Sequence, residues 1–372
     1  MPSSTALPLQ SARAGESAGK VGTTSKARLD GVEAARGVAA LLVVFYHSAL
    51  HVEADVGGTI LWHLPHFGHA GVDFFFVLSG FIIMFVHGKD IGAPGRLGHY
   101  VQRRFTRVLP FYWILLAYYL ADIWLFRPAR APGAWALFSN LLLLPQHVDQ
   151  IVGGAWTLVF ELMFYTLFAF MILSRRLGSA LLVLWAGLIG AGFFIHSLHH
   201  SVALIATASS PYCFEFLLGM GAAHILVNHR VPGTGWLLIL GVVGFALAGL
   251  CEVRGLLYGY GPLARFVYGG GALLIITALV ERERLGLLRV PKPLAVLGRA
   301  SYSVYLVHLI GIGIAFHFIS RIFPLTPVWA LPLWLVLCAC GVAAGILASI
   351  WIEHPIIRLS RRWIADRLAW AR

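Results

Sequence analysis

Two ionisable residues enclose an apolar stretch near the start of the chain and indicate where chemistry could occur. Arg36 and His47 flank ten uncharged residues in the segment RGVAALLVVFYH. On a helix the two side chains would lie roughly 16 Å apart along the axis, which is about half the hydrocarbon core of a bilayer. A histidine at this depth can transfer protons, and an arginine can bind anions. The alternative is that Arg36 anchors the helix at the lipid headgroups and His47 is a buried core residue.

The composition is that of an integral membrane protein. Apolar residues make up 59% of the 372 residues and charged residues 12%, with a mean hydropathy of +0.80. A soluble domain carries about 25% charged residues. The net charge of +12 does not indicate a nucleic-acid partner, because the basic residues are scattered through short loops between apolar stretches.

Ten apolar stretches are long enough to cross a bilayer as helices, so the predicted fold is an all-α polytopic membrane protein. Residues 134–144 form a shorter apolar stretch, which is predicted to lie at the interface or to re-enter. The ten predicted spans are 31–52, 70–87, 108–126, 156–173, 178–195, 211–227, 235–251, 262–280, 301–320 and 329–352.

The distribution of positive charge predicts the orientation of these spans. Of the 28 lysines and arginines, 22 fall on one side and five on the other, while Arg36 lies within the first helix. Because basic residues concentrate on the cytoplasmic side of membranes, both termini are predicted to be cytoplasmic. The predicted organisation is a disordered tail over residues 1–28, a membrane domain over 29–355, and a basic amphipathic tail over 356–372.

Four ionisable residues are expected at one depth in the outer half of the membrane, namely His47, Asp73, Glu161 and Glu215. A carboxylate beside a histidine fixes its tautomer and stabilises the imidazolium, so this level can contain a general base. We expect Glu161 or Asp73 to orient His47.

Cationic groups are expected on the inner side. Arg103, Arg104 and Arg107 lie within about one helical turn in RRFTRVLP, a spacing that suits phosphate oxygens. The same residues can also be an ordinary cytoplasmic anchor. His308, in SYSVYLVH, is expected roughly 10 Å from the cytoplasmic end of its helix.

Three histidines in a predicted external loop are candidate metal ligands. His63, His66 and His69 recur every three residues, but Pro65 and Gly68 interrupt any helix that could align them. No metal site is therefore predicted. The cysteines also lack metal-ligand spacing and are interpreted as small core residues. They are Cys213, Cys251, Cys338 and Cys340.

Six motifs in order resemble the membrane-bound acyltransferase 3 family, and in particular the bacterial exopolysaccharide O-acetyltransferases. Together they extend over about residues 30–358. The motifs are RGVAALLVVFYH with Arg36 and His47, GVDFFFVLSGFII from Gly71 to Ile83, RRFTRVLPFY with Arg103, Arg104 and Arg107, WTLVFELMFY with Glu161, SYSVYLVH with His308, and Glu353 near the end.

The resemblance implies transfer of an acetyl or similar short acyl group from cytoplasmic acetyl-CoA to a hydroxyl of an extracytoplasmic or lipid-linked carbohydrate. It implies that His47 is the catalytic histidine, taking the proton of the hydroxyl or carrying the acetyl group itself. Arg36, the three arginines before the third helix and His308 are assigned to the donor. The expected partners are acyl-CoA, a carbohydrate that can be polyprenyl-linked and the bacterial inner membrane, with no metal and no nucleic acid.

Two other functions are compatible with the same residues. A proton-coupled transporter of an anionic solute could use the histidine and carboxylates as a proton relay, and it would move substrate without consuming CoA. A structural subunit could recruit partners through its basic tails, and changes at His47 would then have no effect. The chain has no repeat of fixed period, which argues against a transporter built from inverted repeats.

Overall fold

The described part of the chain is built from helices. A computed structural model describes residues 29–360 and residue 362, and residues 29–360 contain no strand. The predicted tail over residues 1–28 and most of the predicted tail over 356–372 lie outside the described residues. The α-helices are α1 (Asp30–Asp55), α2 (Gly71–His87), α3 (Leu97–Phe126), α4 (Ala134–Leu142), α5 (Trp156–Leu173), α6 (Arg175–Phe194), α7 (Ala203–Ala208), α8 (Tyr212–Asn228), α9 (Thr234–Val253), α10 (Pro262–Arg284), α11 (Lys292–Ile322) and α12 (Ala330–Ala348). A π-helical turn, Ser349–Glu353, follows α12.

The predicted all-α membrane architecture is confirmed. Within residues 29–360, nine helical segments are long and apolar enough to cross a membrane. The helix α8 is also apolar and has 17 residues, which is about the lower limit for a transmembrane helix. Each of the ten predicted spans overlaps one of these helices. The short stretch predicted to lie at the interface forms α4, which has nine residues.

The first helix lies among several others. It contacts α2, α10, α11 and α12, together with the segment Leu61–Ala70 that precedes α2. The backbone amides of Asp30 and Gly31 donate hydrogen bonds to the carboxylate of Glu283 on α10, at 2.7 and 3.1 Å. A carboxylate at a helix start satisfies free N–H groups and interacts favourably with the helix dipole. The end of α10 therefore holds the start of α1 in place.

We call the face at which α1 begins the inner face, since the charge distribution predicts that it is cytoplasmic. Along the chain, α3 and α11 also begin at this face, whereas α2, α5, α8 and α10 begin at the outer face. The π-helical turn after α12 lies at the inner face, where it lines a cavity together with the start of α1.

The helices α2 and α8 cross where neither has room for a side chain. A Cβ added at Gly219 of α8 would collide with the carbonyl oxygen of Val77, and one added at Gly80 of α2 would collide with the carbonyl oxygen of Phe216. Small residues allow membrane helices to approach closely, and the resulting van der Waals packing stabilises the bundle.

We expect Gly219→Val to destabilise the protein, because the new side chain must displace the backbone of α2. Overpacking of this kind costs about 1–3 kcal/mol or more. The measurement is the thermal unfolding temperature of the purified protein in detergent. Gly221→Val is the matched control, because a Cβ at Gly221 meets no atom within 4 Å. Equal unfolding temperatures for the two variants would contradict the close crossing.

Candidate active site

Two histidines from different helices meet in the interior. Nδ1 of His47 on α1 is 3.2 Å from Nε2 of His308 on α11. The predicted depth of His308 is too shallow, because α11 begins at Lys292 rather than near residue 301. His308 therefore lies roughly 24 Å along its helix and reaches the level of His47.

Backbone carbonyl groups assign the protons of this histidine pair. Nδ1 of His47 is 3.0 Å from the oxygen of Val43, and Nδ1 of His308 is 3.1 Å from the oxygen of Val304. Because a carbonyl oxygen only accepts hydrogen bonds, each neutral ring is assigned its proton on Nδ1. The Nδ1–H of His47 also points to the unprotonated Nε2 of His308. This arrangement leaves Nε2 of His47 unprotonated and able to act as a base.

Both histidines line a cavity of about 340 Å³ in the outer half of the protein, which we call the outer cavity. Its walls combine aromatic rings with hydrogen-bonding groups, a mixture suited to a polar organic ligand. The lining residues are Val43, Tyr46, His47, His69, Val72, Gly153, Gly154, Trp156, Tyr212, Tyr260, Tyr305 and His308.

A third histidine in the outer cavity has a carboxylate partner. Nε2 of His69 is 2.7 Å from Oε1 of Glu252, and Oε2 of Glu252 accepts a hydrogen bond from the hydroxyl of Tyr268 at 2.5 Å. The ring of His69 stacks on Tyr260, with centroids 4.5 Å apart. These contacts hold the imidazole in one orientation. The sequence interpretation grouped His69 with metal candidates and missed this pairing, because Glu252 lies 183 positions away in the chain.

Two tyrosines connect this network to the first histidine pair. The hydroxyls of Tyr46 and Tyr260 are 2.7 Å apart, and the ring of Tyr46 lies edge-on to His47 at 4.8 Å. Partial burial raises the pKa of the Tyr260 phenol, and the hydrogen bond with Tyr46 raises it further. Tyr260 therefore keeps its proton at neutral pH and can donate a hydrogen bond.

A larger cavity of about 640 Å³, which we call the inner cavity, lies at the inner face. Of its acidic residues, Glu353 accepts hydrogen bonds from the hydroxyls of Ser303 at 2.6 Å and Ser349 at 3.0 Å. Guanidinium groups outnumber carboxylates here, which suits a polyanionic ligand. The charged lining residues are Glu33, Arg36, Arg107, Arg299, Glu353 and Arg358.

A narrow middle cavity of about 70 Å³ lies between the other two. It shares Arg36, Arg107 and Tyr302 with the inner cavity, and it shares Tyr305 with the outer cavity. The ring of Tyr305 packs edge-on against Phe75 at 5.6 Å. The three cavities therefore form a series from the inner face to His47, with Tyr305 between the last two.

The carboxylates expected to orient His47 have other partners. Glu161 lines the middle cavity, where it accepts hydrogen bonds from Ser79 at 3.1 Å and from the Tyr165 hydroxyl. Asp73 is fully buried and forms an ion pair with Arg265 at 2.5 Å. The structure thus corrects the expected arrangement, since the ring nitrogen of His47 contacts His308 instead.

Arg265 is a buried cation and is one of the five basic residues that the charge count placed on the outer side. It lies in α10, its guanidinium is 4.4 Å from the ring centroid of Tyr212, and it neutralises Asp73. Glu215 of α8 is fully buried near Asp73 in the same cluster. The cluster ties α2, α8 and α10 together behind the wall of the outer cavity, so we interpret Asp73 and Glu215 as structural residues.

The three arginines at the start of α3 have different surroundings. Only Arg107 lines the inner and middle cavities. Arg104 lies 3.4 Å from Nε2 of His87, packs on the rings of Tyr100 and Tyr165, and lines a separate cavity of about 330 Å³. Arg103 lines none of these three cavities. Of the three arginines predicted to bind the donor, only Arg107 lines the inner and middle cavities, and Arg36 from α1 lines both of them as well.

Comparison with known proteins matches nearly the whole described chain. A family model described as an acyltransferase domain matches residues 29–354. Exopolysaccharide production protein ExoZ of Rhizobium meliloti (strain 1021) is 29% identical over 319 residues, which cover 79% of this chain and 91% of that protein. No solved structure matches the chain.

Two further relatives match with lower identity or over a shorter length. O-acetyltransferase OatA of Staphylococcus aureus (strain NCTC 8325 / PS 47) is 24% identical over 319 residues, covering 75% of this chain and 50% of that protein. Protein 2 in picA locus of Rhizobium radiobacter is 33% identical over 147 residues, covering 35% of this chain and 70% of that protein.

Proposed function

The chain belongs to the membrane-bound acyltransferase 3 family, and we propose that this multi-pass O-acetyltransferase moves an acetyl or similar short acyl group from cytoplasmic acetyl-CoA to a carbohydrate hydroxyl at the outer face. The carbohydrate is extracytoplasmic or polyprenyl-linked, and the membrane is the bacterial inner membrane. Support for a carbohydrate comes from ExoZ, whose name refers to exopolysaccharide production, and support for acetyl transfer comes from OatA.

The series of three cavities is the observation that carries this proposal. A basic inner cavity and a histidine-lined outer cavity lie at opposite ends of a path that the middle cavity bridges. A donor at one face and an acceptor at the other can meet at His47 only along such a path. A transporter of an anionic solute could use the same basic inner cavity, but it would move substrate without consuming CoA.

The inner cavity is proposed to bind the phosphate groups of CoA. Arg36 and Arg107 lie where the inner and middle cavities join. Both can therefore hold the donor while its acyl arm extends through the middle cavity toward His47. The middle cavity is narrow, and Tyr305 must therefore turn aside for the thioester to reach His47. Glu161, in the middle cavity, lies along the path of the arm rather than at the reacting atoms.

His47 is proposed to transfer the proton. Its Nε2 takes the proton of the acceptor hydroxyl while the oxygen attacks the thioester carbon. The new C–O bond forms, the C–S bond breaks, and the imidazolium returns the proton to the CoA thiolate. His308 stabilises the imidazolium, because its Nε2 accepts the hydrogen bond from Nδ1–H of His47. His308 is therefore assigned to positioning His47 rather than to binding the donor.

The acceptor is proposed to lie between His47 and His69. The rings of Tyr212 and Tyr260 offer flat surfaces against which a sugar can pack, and the hydroxyl of Tyr260 can donate to it. His69, held by Glu252, supplies a further hydrogen-bonding group in the lining of the cavity. These residues orient the hydroxyl for attack, and such positioning lowers the barrier of a bound reaction.

We expect His47→Ala to reduce acyl transfer by about 10²- to 10⁴-fold, because the variant loses the general base. Inverted membrane vesicles are incubated with labelled acetyl-CoA, and the labelled carbohydrate is quantified. His51→Ala is the control, since His51 lies on the same helix but pairs with Asp55 at 3.3 Å outside the cavity. Wild-type labelling by the His47 variant would remove this residue from the mechanism.

We expect Arg36→Ala and Arg107→Ala each to raise the KM for acetyl-CoA by roughly 10- to 100-fold, the effect of losing a charged hydrogen bond. Arg176→Ala is the matched control, because Arg176 is exposed at the start of α6, and this variant should leave the KM unchanged. Arg104→Ala should raise the KM less than Arg107→Ala does, because Arg104 lines a separate cavity. An unchanged KM in the first two variants would assign them to anchoring the helices.

We expect Glu252→Gln to impair use of the acceptor while donor binding stays at the wild-type level, because Glu252 contacts His69 and Tyr268, and neither residue lines the inner or middle cavity. The KM for a carbohydrate acceptor should rise about tenfold, the loss expected for one hydrogen bond to a charged group. The binding constant for acetyl-CoA is measured on the same preparation. A parallel loss of donor binding would indicate a general structural defect instead.

A further inference from the structure

A group of three potential metal ligands lies outside the cavities described above. Oε2 of Glu53, near the outer end of α1, is 2.8 Å from Nε2 of His66 and 3.2 Å from Nδ1 of His63. The three ligand atoms all lie within 4.8 Å of one another. Their spacing in the sequence groups His63 and His66 with His69. In the structure His69 contacts Glu252 instead, and the third candidate ligand is Glu53.

The surrounding backbone holds the three side chains in this arrangement. The N–H of Ile60 donates a hydrogen bond to Oε1 of Glu53 at 2.9 Å, which leaves Oε2 directed at the two imidazoles. Leu61, Trp62 and His63 all have left-handed backbone conformations, with φ of 45°, 53° and 64°. Side chains other than glycine adopt this region at an energetic cost. The loop therefore needs a local interaction that stabilises its strained form.

The geometry points to a binding site for one divalent transition metal ion, zinc in the first instance, and we propose that Glu53, His63 and His66 are its protein ligands. Two histidines and one glutamate are a known ligand set for zinc with an open fourth position. Metal–ligand bonds of about 2.0–2.1 Å in a tetrahedron place the ligand atoms roughly 3.3 Å apart. The Glu53 oxygen lies 2.8 and 3.2 Å from the two imidazole nitrogens, and all three atoms lie within 4.8 Å of one another, so small shifts of the side chains reach this spacing.

The exposure of the three residues fits a site that exchanges metal with the outer solution. The side chain of His63 is half exposed and that of His66 is 29% exposed, whereas that of Glu53 is 13% exposed. Water can thus occupy the fourth position from the side of His63. The inference revises the expectation of no metal, and it is independent of the acyl-transfer proposal.

Bound metal would fasten the segment Leu61–Ala70 to α1 above the outer cavity. The ring of His66 lies edge-on to Tyr46 at 6.4 Å, and Tyr46 lines that cavity next to His47. His69, at the other end of the same segment, also lines the cavity. Metal binding would therefore fix one wall of the outer cavity.

The test is metal binding by the full-length protein, purified in detergent through an affinity tag that contains no histidine. The protein is stripped with a chelator, loaded with zinc, desalted and analysed for zinc by mass spectrometry. We expect about one zinc ion per chain. Cobalt loaded in the same way should give the intense visible absorption of a tetrahedral site, and added zinc should remove it.

Variants identify the ligands. Glu53→Gln, His63→Ala and His66→Ala should each weaken zinc binding at least about tenfold, since even residues that only support ligands contribute 10- to 100-fold. His63→Ala removes a half-exposed side chain, so this variant keeps the test valid if Glu53→Gln unfolds. His51→Ala is the matched control, because His51 and Asp55 form a histidine–carboxylate pair on α1 that belongs to no three-ligand group among the described residues.

The alternative is that the two imidazoles only donate hydrogen bonds to Glu53. In that case the wild-type protein would retain no more zinc than the His63→Ala variant, and cobalt would give no tetrahedral spectrum. Either result overturns the proposal. Because both readouts measure metal and not acyl transfer, failure of the metal site would leave the enzymatic proposal unaffected.

Discussion

The hydrogen bond between His47 and His308 depends on a constraint that governs the whole bundle: a polar group inside a membrane must find its partner in the protein. His308 is 1% exposed and uses both ring nitrogens, one on the carbonyl of Val304 and one on His47. That pairing requires α1 and α11 to lie side by side at a fixed depth. The carboxylate of Glu283 at the start of α1 helps to set that depth.

Much of the fold follows from hydropathy, because a helix in lipid must be apolar over a length fixed by the bilayer. Each predicted span therefore overlaps a helix. The ends are less predictable, because helices continue past the apolar region into polar surroundings. Lys292 and Arg299 belong to α11 although neither is apolar, and this extension explains why the predicted depth of His308 was too shallow.

The candidate site was predictable in its residue types but not in its pairings. Arg36, His47 and Arg107 line the series of cavities, as their sequence context indicated. The partners come from distant segments, and a sequence pattern gives only the depth of a residue and not the direction of its side chain. Glu161 and Asp73 were expected at the depth of His47, yet they face other groups. Arg265 was counted on the outer side because it lies near the start of a predicted span, and nothing in the sequence pattern indicates that its side chain is buried against Asp73.

The position of Tyr305 has a consequence for the cell that contains this protein. An enzyme that receives one substrate from each side of a membrane contains the makings of an ion leak, and a continuous column of water through it would dissipate the transmembrane potential. The aromatic ring that separates the middle and outer cavities, packed against Phe75, interrupts such a column. With the ring in this position, the path is closed to water and the energy stored across the bilayer is conserved.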